Sequence, residues 1–145
     1  IEVCLVGSEM CIRDRNFTTT KSNHIIMDCK VNSINGRFII DTGASNSCIN
    51  YLLSKKFKLR FKKSKEKASS ASNEINDIFY SKNNILEIDD LKKNNFEIIL
   101  FDMSHINNSF KEKEIEEVDG IIGGDILNEL NANINYKKKS LTLEL

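Results

Sequence analysis

The chain has 145 residues, 40% of them hydrophobic, enough for one compact domain with a real core. Its 21 Lys and Arg balance 21 Asp and Glu, so net charge marks neither a nucleic-acid binder nor a membrane-surface protein. The four cysteines (Cys4, Cys11, Cys29, Cys48) form no CxxC pair and match no zinc spacing, and His24 and His105 stand alone, so no metal and no cofactor is expected.

Residues 1–15 (IEVCLVGSEMCIRDR) read differently from the rest. They hold no Lys and no Asn, yet half the cysteines and half the arginines. No basic stretch precedes a long apolar one, so they do not read as a secretory leader, and no apolar run is long enough to span a membrane. The string is similar to translated sequencing-adapter read-through. The expectation is a foreign or disordered segment over 1–15, followed by one domain over 16–145. Reduced-looking cysteines lean toward an intracellular location.

From His24 the pattern is β. Ile25, Ile26, Met27, Cys29 and Val31 predict a first strand. Asn32–Gly36 predicts a turn, with Asn35-Gly36 as the hairpin signal, and Arg37–Ile40 predicts the returning strand. Cys48–Asn50 reads as a short strand and Tyr51–Phe57 as one or two helical turns. The Lys-rich stretch from Lys55 to Lys67 reads as a solvated face rather than a nucleic-acid site. Ile85–Ile88 and Phe96–Phe101 predict two further strands, and residues 103–117 a loop or short helix. Asp119–Gly124 reads as a buried strand with a glycine exit, Asp125–Leu130 as a short helix, and the remainder as a β-hairpin. Cys29 and Cys48, in apolar strand context, are expected to be buried thiols.

Chemistry concentrates where the second strand ends, at Ile39-Ile40-Asp41-Thr42-Gly43-Ala44-Ser45. A carboxylate delivered by a buried strand into a turn of small residues is costly to desolvate, and such cost is usually tolerated for chemistry. Asp-Thr-Gly also ends strands for purely structural reasons, so a monomeric barrel with a structural turn is one reading. Ser45 and Ser47 lack a nucleophile elbow and an obvious base.

DTGAS at 41–45 and IIGGDIL at 121–127, in that order and separation, resemble the retropepsin-like aspartic proteases, cellular or bacterial branch. The resemblance implies a mostly-β, closed acid-protease barrel with one or two short helices and an active site shared by a homodimer. It implies Asp41 as the catalytic acid/base, one from each subunit, activating water to hydrolyse a peptide or protein substrate. It gives Thr42 a bond across the dimer, Gly43 a close approach, and Ala44 and Ser45 the small residues that follow, with Ser45 supporting the carboxylate. Ile121, Ile122 and Gly123 would pack beneath this loop. The flap would have its tip in Ala68, Ser69, Ser70, Ala71 and Ser72, although no glycine lies between Gly43 and Gly120. Gly124 replaces the arginine of the retroviral enzymes. The tail Leu141–Leu145 serves either as an interface strand or as an internal one. The alternative reading is a catalytically inactive dimerisation or peptide-binding module of the same fold.

Overall fold

The computed structural model describes residues 2–4, 11–64 and 77–144. The strands are β1 (Glu2–Cys4), β2 (Cys11–Asn16), β3 (Thr18–Thr19), β4 (Ile25–Val31), β5 (Ile34–Ile40), β6 (Cys48–Asn50), β7 (Lys62–Lys63), β8 (Phe79–Ile88), β9 (Leu91–Phe101), β10 (Gly120–Ile122), β11 (Asn133–Asn135) and β12 (Ser140–Leu143). A single 3-10 turn covers Tyr51–Leu53, and the two short helices are α1 (Ser104–Glu112) and α2 (Gly124–Glu129).

The larger sheet runs β3-β4-β5-β10-β6-β9-β8-β7, and a further β4–β8 pairing closes six of these strands into a barrel. The protein is therefore mostly β, with a closed barrel and two short helices among the described residues. A second sheet, β1-β2-β12-β11, joins the two ends of the chain. The boundary expected at residue 16 falls on the last residue of β2. One residue before it, Arg15 is 3% exposed, with its Nε donating to the Ile88 carbonyl at 3.3 Å.

The β5 run is apolar at every position from Phe38 to Ile40 because both of its faces are covered. Phe38 and Ile40 enter the cluster that fills the barrel with Met27, Ile49, Phe96 and Leu100. Ile39 joins a second cluster with Ile26, Met103, Phe110, Val118 and Ile121, roofed by α1. Full burial of one such side chain contributes roughly 1.5–3 kcal/mol.

The β4–β5 hairpin forms, but its corner differs from the one expected. Asn32 and Ser33 take left-handed φ values of 50° and 69° and make the two-residue turn, while Asn35 and Gly36 lie inside β5. Gly36 serves packing instead. A Cβ there would sit 2.6 Å from the Phe38 ring and 2.9 Å from the Phe57 ring, both fully buried.

Candidate active site

The strand β5 lies parallel to β10, with Ile40 beside Ile122. The Asp41 N–H continues the pairing by donating to the Ile122 carbonyl at 2.9 Å. The chain then turns: the Ala44 N–H donates to the Asp41 carbonyl at 3.2 Å, and the Gly43 N–H donates to Asp41 Oδ1 at 2.9 Å. This second bond fixes the half-buried carboxylate against its own loop. At Gly43 a Cβ would lie 3.3 Å from Asp41 Oδ1, so a side chain would crowd the acid. Thr42 and Ser45 are exposed, and among the described residues the carboxylate's partner is the Gly43 N–H rather than Ser45.

Two glycines let β10 and α2 pass directly under this loop. The Gly124 N–H donates to the Ala44 carbonyl at 2.7 Å. A Cβ on Gly123 would meet that same oxygen at 2.7 Å and the Asn46 carbonyl at 3.0 Å. Glycine is thus needed at 123 for close approach rather than for turning. Ile122 is fully buried beside the loop, and Ile121 lines the adjacent cleft.

The residue that ties loop to helix is Ser47. Its hydroxyl donates to Asp125 Oδ1 at 2.7 Å and accepts from the Gly123 N–H at 2.9 Å, while its own N–H donates to Asp125 Oδ2 at 3.0 Å. Asp125 Oδ1 also accepts from the Ile126 N–H at 2.9 Å in the first turn of α2. Sequence reasoning set Ser47 aside as a poor nucleophile and saw Asp125 as a helix-start acid. The hydroxyl in DTGASNS and the acid in IIGGD were the available signal, but they meet only across 78 residues of chain.

Other carboxylates near the ends of these elements are also committed. Asp119 Oδ2 accepts from the Arg37 N–H at 2.9 Å and lies 3.8 Å from Lys56 Nζ. Asp102 accepts from the Ser104 hydroxyl and N–H at the start of α1, which holds its carboxyl below the ordinary carboxylate range.

Beside the loop lies an apolar cleft of about 480 Å³, lined among others by Ala44, Cys48, Ile78, Ile99, Phe101 and Ile121. Burial pushes the Cys48 thiol up to about 12, so it presents a neutral wall. The outer edge of the cleft is the β7–β8 pair, joined beyond its last rung by the Ser64 N–H donating to the Ile78 carbonyl at 2.8 Å. The expected flap tip, Ala68–Ser72, falls between these strands and lies outside the described residues. The root of the hairpin is held by three rings that the sequence reading passed over. Tyr51 stacks on Phe79 at 4.5 Å between centroids, and Phe61 meets both edge-on at 5.4 and 5.3 Å.

The profile of the aspartyl protease family matches residues 27–126, which include the Asp41 turn and the Gly123-Gly124 crossing. The chain belongs to this family and has the retropepsin-like fold. Among solved structures, a retropepsin-like aspartic protease from Rickettsia conorii matches with a TM-score of 0.62 at 14% identity, covering 94% of this chain and 93% of that one. The retroviral protease-like domain of Ddi1 from Leishmania major matches with a TM-score of 0.59 at 16% identity, covering 83% and 87%. EIAV protease in complex with the inhibitor HBY-793 matches with a TM-score of 0.57 at 16% identity, covering 81% and 98%. At these identities the likeness speaks for the fold. No curated protein matches the sequence.

Proposed function

We propose that the chain is a homodimeric aspartic endopeptidase in which Asp41 of each copy faces one shared water. The observation that carries this reading is that Asp41 ends a buried strand beside the apolar cleft, and its carboxylate accepts, among the described residues, only from the Gly43 N–H of its own loop. Asp125 and Asp119 are instead tied to the N–H groups of distant segments, and Asp102 is bound by Ser104 at the start of α1. Acid-pair hydrolysis needs two carboxylates, and a two-fold axis through the Asp41 turns supplies the second. Two carboxylates brought that close share one proton, so one accepts the proton of water while the other polarises the scissile carbonyl. The exposed Thr42 beside a hollow of about 390 Å³, lined in part by Gly124 and Asn128, gives a second copy's turn a place to seat. The 480 Å³ cleft supports binding of a peptide through apolar side chains flanking the scissile bond.

The test is cleavage of a diverse peptide mixture, read by mass spectrometry from acid to neutral pH, beside the Asp41→Asn variant. Asparagine keeps the acceptor for the Gly43 N–H, so the variant folds and cuts nothing. Cleavage that survives the substitution sinks the mechanism. Dimers that bind peptides without cutting them at any pH select the second reading, an inactive peptide-binding module; it is favoured by the absence of glycine between Gly43 and Gly120.

A further inference from the structure

The Lys-rich stretch, whose charges the hydrolytic reading leaves unused, folds into the wall of a second cavity of about 610 Å³ beside the hairpin root. Lys58, Arg60, Lys62 and Lys82 line it, and among the described residues no carboxylate does. Lys62 lies opposite Tyr80 in the β7–β8 ladder, with Arg60 and Lys82 flanking that pair. Among the described residues Lys58, Arg60 and Lys62 have no ion-pair partner, and Lys82 reaches Glu97 at 3.7 Å. The neutral part of the lining cannot compensate these charges. Asn32 donates to the Phe57 carbonyl and to Asn84, and Asn84 donates to Ser81 and the Phe96 carbonyl, so these amides are spent internally. In a chain of zero formal charge, four cations around one hollow are a local segregation.

Tyr80 lines both this cavity and the apolar cleft, so the two are neighbours along β8. We propose that the cavity receives an acidic stretch of the bound peptide, a few residues from the bond at Asp41. The proposal rests on the peptide-cleaving reading for the continuity of the two sites. A single-stranded nucleic acid is the competing occupant, since Tyr80 and Phe61 are 37% and 39% exposed. The apolar cleft beside the cavity favours the peptide, and the nucleic acid is an outcome of the test.

The experiment uses the full chain carrying Asp41→Asn, so that no probe is cut. Fluorescence anisotropy compares a labelled peptide with an apolar core and a run of glutamates against the same peptide with glutamines. The glutamate peptide is expected to bind about tenfold tighter, with the advantage shrinking as salt screens the exposed pairs. The Arg60→Gln/Lys62→Gln/Lys82→Gln variant loses that advantage, and Lys137→Gln/Lys138→Gln, on the far turn, keeps it. Equal affinity for the two peptides, or an oligouridylate that binds more tightly than the glutamate peptide, overturns the proposal. Cleavage by the wild type is scored separately: a glutamate preference in binding without any turnover refutes the protease and leaves the acidic-segment site standing.

Discussion

Ser47 Oγ and Asp125 Oδ1, 78 residues apart, meet at 2.7 Å and join the loop that follows Asp41 to the first turn of α2. Replacing Ser47 with Ala removes this bond and leaves the Gly123 N–H, which it also serves, without a partner. A loss of about 1–3 kcal/mol of stability is expected, measured by urea unfolding. Because the loop carrying Asp41 loosens, peptide cleavage should fall by about tenfold to a hundredfold. Asp41→Asn should show the reverse signature, with no cleavage and nearly unchanged stability.

Gly36 is held by the Phe38 and Phe57 rings rather than by its backbone conformation. Gly36→Ala therefore overpacks the barrel, and a destabilisation of about 1–3 kcal/mol is expected from thermal or urea unfolding. An unaffected midpoint would show that the rings can move apart freely.

Cys29 and Cys48 are buried thiols whose pKa values burial pushes up to about 12 from an ordinary 9.0. Between those limits the folded chain keeps protons that the unfolded chain releases. Their contribution is therefore whole below pH 9 and is lost as pH rises through the folded value. The loss is at most about 1.4 kcal/mol per pH unit for each thiol. Urea unfolding on the alkaline side of pH 9 should show a steeper decline for the wild type than for a Cys29→Ala/Cys48→Ala variant. Parallel slopes would refute the assignment.

Tyr51, Phe61 and Phe79 brace the root of the hairpin that borders the cleft. If that hairpin closes over peptide, Tyr51→Ala should raise KM several-fold and leave kcat within about twofold, since the rings contact one another and not the Asp41 carboxylate. Steady-state kinetics on one good substrate separates the two parameters.

Much of this architecture was legible locally. Apolar runs marked β4 and β5, the doubled glycine marked the exit of β10, and Asp-Thr-Gly marked the loop. What escaped depends on partners distant in sequence. Asn35-Gly36 carries a strong hairpin signal, yet the corner moved to Asn32-Ser33 because two phenylalanines claim the space beside Gly36. Ser47 and Asp125 each had an ordinary local reading, and their joint role exists only once β10 lies beneath the loop. Lys58, Arg60 and Lys62 are exposed, in keeping with a solvated face, and only their gathering with Lys82 from another strand was hidden from a local reading.

The β4–β8 seam that closes the barrel consists of two residue pairs, Lys30–Glu87 and Val31–Leu86. Asn32 extends it by one stitch: its N–H donates to the Ile85 carbonyl at 2.9 Å, and its side-chain oxygen accepts from the Ile85 N–H at 3.0 Å. One amide side chain thus stands in for a missing peptide rung, at the same residue whose left-handed backbone makes the hairpin corner. The two duties have different chemical requirements. Glycine satisfies the corner and cannot supply the rung, so Asn32→Gly would keep the hairpin while loosening the end of the seam. Hydrogen exchange at the Ile85 amide is then a gauge of whether the barrel is shut, independent of whether its strands are formed.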